Sequence, residues 1–179
     1  MTDYRRDHTP GASWFFTLNL ADRHQALLTE QIDLLRASFR KVMRQHPWRI
    51  DAIVILPDHL HPLCTLPAAD ADFALRWRLI KTGFSRALPY GEHISASRQR
   101  KGERGIWQRR YWEHRIRDQT DFNRHIDYIH HNPRKHGHVQ QVADWPWSSF
   151  HQYVRAGLLP RDWASGEDID KAVGERGER

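Results

Sequence analysis

Cysteine is almost absent from this chain, with Cys64 the single example in 179 residues. One thiol cannot form an internal disulfide, and zinc sites built on cysteine thiolates are excluded with it. No apolar run reaches membrane-spanning length, and the start, Met1-Thr2-Asp3-Tyr4-Arg5-Arg6, lacks an apolar signal region. No internal repeat is visible. These absences lead to the expectation of a soluble protein in a reducing cytoplasm, with one domain over residues 1–163 and a charged, disordered tail over 164–179. What is present is aromatic and basic. Eight Trp, seven Phe and five Tyr can build a core, although the mean hydropathy is −0.80. The 28 Lys and Arg exceed the 22 Asp and Glu by six, so the surface attracts polyanions, and nucleic acid is a leading candidate.

Trp14 to Leu20, aromatic and aliphatic, predicts a strand. From Gln25 to Gln45 the residues Leu28, Ile32, Leu35, Phe39 and Val42 recur at helical spacing, and Pro47 closes that helix. Ile50 to Leu56 is apolar on both faces and predicts a buried central strand. Pro57-Asp58 then turns the chain into a second strand, His59 to Leu66, making a hairpin. Asp70-Ala71-Asp72 caps a helix carrying Phe73, Trp77, Ile80, Phe84 and Leu88 on one side. Residues 89–105 predict a flexible loop, and Ile106 to Ile116 should contain a fourth strand. Asp118 or Thr120 caps a helix to about His136, which Gly137 ends, and Trp147 to Arg155 gives a short last helix. The order is β-α-β-β-α-β-α. Its first six elements match the ferredoxin-like split β-α-β pattern, an α+β fold with a four-stranded antiparallel sheet and helices on one face.

Two constellations carry chemistry. His59 and His61 flank Leu60 on a strand, so both imidazoles leave the same face and can share a metal ion. Thirteen histidines make about one His-x-His pair expected by chance, and His136-Gly137-His138 is a second, so two surface histidines are the competing reading. On the helix after Asp118, Arg124, Tyr128, His131, Asn132 and Lys135 form a polar stripe, beside Phe122, Ile126, Ile129 and Pro133 facing the sheet. Spacing alone favours an amphipathic packing role for Tyr128 over that of a nucleophile. Phosphoryl transfer would join the two groups. A tyrosine hydroxyl has an unperturbed pKa of about 10, and a divalent cation assists its attack by polarising the phosphate. A phosphotyrosine bond conserves the reactivity of the phosphodiester, so a DNA 3′-hydroxyl can later displace it without ATP.

Pro57-Asp58-His59-Leu60-His61 resembles the histidine–hydrophobic–histidine (HUH) motif of single-tyrosine transposases. Asp127-Tyr128-Ile129-His130-His131-Asn132-Pro133-Arg134-Lys135-His136-Gly137 resembles the tyrosine helix of one branch, the REP-associated tyrosine transposases. Trp14 to Asn19, Ile106-Trp107-Gln108 with Trp112-Glu113-His114, and Trp145-Pro146-Trp147-Ser148-Ser149-Phe150 extend the likeness over residues 4–163. The resemblance implies an enzyme that acts on single-stranded hairpins of repetitive extragenic palindromes with a flanking tetranucleotide. Tyr128 is then the nucleophile, and His59, His61 and Asn132 are ligands to Mg²⁺ or Mn²⁺. Asn132 stands where related transposases carry a longer glutamine. Pro62 departs from the ordinary strand residue of many relatives, which predicts an edge strand or a local irregularity there. Related insertion-sequence transposases are dimers with shared sites, whereas this branch is expected to be monomeric and associated with the bacterial nucleoid.

For DNA contacts, the resemblance points to Arg5 and Arg6 at the tetranucleotide. Basic character points to Arg78, Lys81, Arg109, Arg110, Arg117, Lys135 and His136 at phosphates, with Trp107 or Trp112 stacking on a base. Two rival readings stay open: a hairpin-binding protein without turnover, and a metallohydrolase in which Tyr128 is structural. The latter lacks an evident carboxylate base beside the histidines.

Overall fold

The computed structural model of the chain describes residues 9–92 and 94–165, so Arg5, Arg6 and nearly all of the expected tail lie outside it. Four strands, β1 (Ser13–Asn19), β2 (Arg49–Ile55), β3 (His59–Thr65) and β4 (Trp112–Arg115), form one antiparallel sheet in the order β2-β3-β1-β4. Six helices accompany them: α1 (Leu27–Glu30), α2 (Ile32–Gln45), α3 (Phe73–Ala87), α4 (Ala96–Gln99), α5 (Gln119–Lys135) and α6 (Phe150–Arg155). A 3₁₀ turn spans Val142–Asp144. The α+β, ferredoxin-like expectation holds, with α5 as the added helix.

Alternation along β1 divides the molecule. Trp14, Phe16 and Leu18 point into a core closed by α2 and α3, with Leu35, Phe39, Trp77, Ile80 and Phe84. Trp77 is wholly buried, its ring 4.9 Å from Trp48 and 5.2 Å from Phe16. Buried Arg76 satisfies its guanidinium on the carbonyls of His46, Asp72 and Pro47 and on the Asp70 carboxylate, tying α3 to the start of β2. The opposite face, carrying Phe15 of β1, packs with Ala52, Val54 and Leu63 against Ile126 and Ile129 of α5.

One strand expectation needs correction, and the structure decides between the two alternatives at Pro62. β2 is not central. It lies at the end of the sheet, and residues 147–149 cover its outer edge: Ile55 N–H donates to Trp147 O at 2.9 Å, Ser149 N–H to Ile53 O at 2.8 Å, and Ile53 N–H to Ser149 Oγ at 2.9 Å. A strand with both faces and one edge covered reads as central even when only one strand pairs with it. Pro62 instead lies on an interior strand. The register between β1 and β3 is the same on both sides of it, Phe15 opposite Leu63 and Leu18 opposite Leu60, and only the intervening pairing lapses. The N–H that proline lacks is the one that would reach Phe16, so the irregularity is a missing bond and not a slip.

The first predicted helix breaks at Gln31 into α1 and α2. Asp118 rather than Thr120 is the cap of α5, accepting from Asp121 N–H at 2.8 Å. That helix ends in a Schellman turn, His138 N–H to Pro133 O and Gly137 N–H to Arg134 O, both 2.9 Å, with Gly137 at φ 71°. The 89–105 loop contains α4 and is tied back by Arg104, which donates to Glu92 and to the carbonyls of Leu88 and Pro89. Ala164, the first residue of the expected tail, is instead buried with Val142 and Phe150.

Candidate active site on the tyrosine helix

β3 delivers His59 and His61 to the face covered by α5, and both are buried. Their rings meet edge to face with centroids 4.9 Å apart. The missing bond at Pro62 leaves His61 aligned, because its cross-strand neighbour Thr17 holds Nδ1 through Oγ1 at 3.0 Å. That hydrogen bond leaves Nε2 as the nitrogen a metal would use.

His59 is held by Asp58, which in the sequence looks only like a turn residue. Asp58 Oδ1 accepts from His59 Nδ1 at 2.7 Å, and Arg23 pairs with the other carboxylate oxygen. Burial by itself would raise the Asp58 pKa, but the hydrogen bonds from His59 and Arg23 prevail and hold the carboxyl far below the usual range. For His59, burial lowers the pKa against the opposing pull of Asp58, so the ring is neutral at pH 7. With the proton on Nδ1, the lone pair is on Nε2, and His59 Nε2 is buried without a hydrogen-bond partner. Nothing in the sequence marks Arg23 for this role.

The helix brings three positions to this pair, one turn apart on one face. Tyr128 lies edge-on to His61, centroids 5.3 Å apart, and His136 lies edge-on to His59 at 5.2 Å. Asn132 falls between them. It is wholly buried, and neither its amide oxygen nor its amide nitrogen has a hydrogen-bond partner. Orphaned amide atoms in a buried site are costly unless a ligand completes them. Two imidazoles and one amide oxygen are a suitable donor set for a divalent cation, so these residues fit a metal. The expected polar stripe is thus partly interior, since His131 is buried as well. Lys135 remains exposed, its Nζ 5.1 Å from the Tyr128 ring centroid.

The remaining predicted contact residues divide between the two faces of the sheet. On the tyrosine face an aromatic row runs from exposed Trp112 through His114 and His125 to Phe15, which touches Tyr128 at 5.7 Å. Arg117, beside the start of α5, pairs with Asp121. On the other face Arg78, Lys81 and Arg109 line a cleft of about 700 Å³ between α3 and residues 98–111. Lys81 there donates to Gln108 O at 2.7 Å, and burial lowers its pKa to about 8. Trp107 is part of the core, and Arg110 is exposed.

No family model matches the chain. Individual proteins do. A REP-associated tyrosine transposase of Escherichia coli K12 is 47% identical over 176 residues, 98% of each chain. A putative REP-associated tyrosine transposase of Haemophilus influenzae is 46% identical over 170 residues, 94% of this chain and 97% of its own. The solved structure of a REP-associated tyrosine transposase bound to a REP hairpin superimposes with a TM-score of 0.82 at 46% identity, covering all of both chains. With near-complete coverage on both sides, this chain belongs to the family of REP-associated tyrosine transposases.

Proposed function

We propose that the chain is a metal-dependent single-stranded DNA endonuclease and strand transferase acting on REP-type palindromic hairpins. The observation that carries this reading is the contact of Tyr128 with His61 beside two buried, uncompleted donors, His59 Nε2 and Asn132. His59, His61 and Asn132 would hold Mg²⁺ or Mn²⁺, whose chemistry there is to polarise the scissile phosphate and offset its charge. Asp58 and Thr17 orient the two imidazoles. The phenolic oxygen of Tyr128 attacks phosphorus, forming a phosphotyrosine on the 5′ side. The P–O3′ bond breaks, the tyrosine gives up its proton, and the departing 3′-oxygen takes one up. Lys135, above the Tyr128 ring, favours the negative charge that develops on the phenolic oxygen. Attack by a 3′-hydroxyl reverses the step and joins strands.

His59, His61, Asn132 and Tyr128 meet within one chain, so a monomer would hold a complete site. The solved relative bound to a hairpin supports the substrate class. Arg117, Lys135 and His136 lie on the tyrosine side to meet phosphates, with Trp112 at the open end of the aromatic row to stack on a base. Arg78, Lys81, Arg109 and Arg110 extend the basic surface beyond it, and the family resemblance assigns Arg5 and Arg6, outside the described residues, to the flanking tetranucleotide. DNA in the bacterial cytoplasm is the matching location.

The test is a denaturing gel of protein incubated with a flanked palindromic single strand and Mg²⁺ or Mn²⁺. A covalent adduct that disappears in Tyr128→Phe is expected. Cleavage that survives Tyr128→Phe would favour a metallohydrolase, and tight binding without cleavage under either metal would favour a hairpin-binding protein.

A further inference from the structure

Away from the His59–His61 pair, the described residues contain one group of three His, Cys, Asp or Glu side chains close enough to share an ion. His114 of β4 and Asp121 and His125 of α5 place one donor atom each within 4.8 Å of the others. We propose that these three residues form a second metal site, selective for Zn²⁺-class ions, which clamps the edge strand β4 to the first turns of the tyrosine helix. The inference is independent of the proposed function.

The geometry comes from both elements. Asp121 and His125 are four residues apart on one helical face, the spacing at which two side chains reach one ion. His114 projects from β4 toward them because it pairs with Phe15 and so shares its face of the sheet. The two imidazoles stack at 4.8 Å with an 18° tilt. His114 Nε2 is 2.9 Å from Asp121 Oδ2, and His125 Nδ1 is 3.3 Å from Asp121 Oδ1. Ligands bound to zinc at about 2.0–2.2 Å in a tetrahedron stand slightly above 3 Å apart, so only small movements are required.

Without an ion, protons occupy these positions. His114 donates to the carboxylate, and His125 Nδ1 donates to the Asp121 carbonyl at 2.8 Å. Binding turns each ring to its other tautomer. The Asp121 carbonyl loses little, because it lies within α5 and serves the helix ladder. Asp121 is already an anion. Burial would raise its pKa, but hydrogen bonds from His114 and Arg117 lower it to about 2. The group that opposes a cation is Arg117, whose Nε is 3.2 Å from Oδ2. Its side chain is largely exposed and can turn to solvent, while the Arg117 backbone N–H keeps its 3.0 Å hydrogen bond to Oδ2 and Oδ1 serves the ion. Two imidazoles and a carboxylate suit zinc or cobalt, whereas the amide oxygen at Asn132 suits a harder ion. The two sites therefore differ in preference. A clamp here has mechanical sense: β4 has four residues and a single neighbouring strand, and His125 lies one turn before Tyr128.

The test is titration of the full chain with Co²⁺ and then Zn²⁺, following the visible d–d bands of four-coordinate cobalt and the melting temperature. One ion per chain should bind in the His59→Ala variant, with a raised melting temperature. It should be lost in His125→Ala and in His114→Gln, where the glutamine keeps a hydrogen bond to Asp121 and preserves the fold. Histidine-selective nitrogen NMR of the unaltered chain gives a reading free of substitutions: zinc should move the His114 and His125 resonances. Binding that vanishes in His59→Ala but persists in His114→Gln, or zinc that leaves those resonances unmoved, overturns the proposal.

Discussion

Asp58 receives a 2.7 Å hydrogen bond from Nδ1 of the histidine that follows it, His59, and so turns the other ring nitrogen inward as a lone-pair donor. A carboxylate behind a ligating imidazole fixes its tautomer and increases its basicity. The site therefore depends on the turn before β3 as well as on the two histidines.

Replacing Asp58 by Ala should leave the fold intact and raise the Mn²⁺ concentration for half-maximal cleavage by about 10- to 100-fold, the usual cost of losing such a partner. Arg23→Ala should have a smaller effect in the same direction, because it supports His59 only through Asp58. A metal titration of cleavage by the three proteins checks the ranking.

Asn132 separates a ligand from a packing residue. Asn132→Leu removes two orphaned polar atoms from a buried position, so it should raise the melting temperature in the absence of metal. It should also abolish metal-dependent cleavage or weaken it at least tenfold. A variant that melts higher yet cleaves normally would mean that Asn132 holds no ion.

Histidine burial sets the acid limit of stability. His130 is fully buried against Ser149, and burial, with the nearby His151, lowers its pKa to about 4. Between the unfolded value of about 6.5 and this folded value, the unfolded chain binds a proton that the native chain does not. Stability therefore falls as pH falls through that window, by roughly 3 kcal/mol at most. The carboxylates act lower: Asp121 and Glu92, both lowered to about 2, keep their contribution above their unfolded pKa values and lose it toward pH 2. Urea unfolding at pH 7.5 and 5 should show the loss, and His130→Gln should reduce it, leaving the smaller part due to His59, His125 and His138, which burial also lowers.

Pro62 costs a sheet hydrogen bond without disturbing the histidines. Pro62→Val supplies the N–H facing Phe16 and should stabilise the chain by about 1 kcal/mol. The metal requirement for cleavage should stay the same, since Thr17 already fixes His61. A change in that requirement would show that the proline itself sets the ring orientation.

Much of this fold was legible because local signals agreed with it. The aromatic run at Trp14, the helical spacing in α2 and α3, and the Asp118 cap each name an element from neighbouring residues. Contacts between residues far apart were not legible. β2 looked central because nothing in its own sequence reveals that Ser149, 96 positions later, covers its edge. His130 likewise gives no sign that its partner is that same serine. In the site, alternation placed His59 and His61 on one face, and helical spacing aligned Tyr128 with Asn132. Burial of Asn132 and His131 was missed because polar residues on a helix normally mark its solvent side. The role of Asp58 was hidden behind its commoner use in turns.

The central claim is that Tyr128 forms the covalent bond to DNA, and peptide mapping of the trapped adduct tests it most directly. After reaction with a flanked palindromic single strand and Mn²⁺, followed by nuclease and protease digestion, mass spectrometry should find a nucleotide esterified to Tyr128 through its 5′-phosphate. A modified peptide containing a different tyrosine, or efficient strand cleavage with no modified tyrosine at all, would contradict the account.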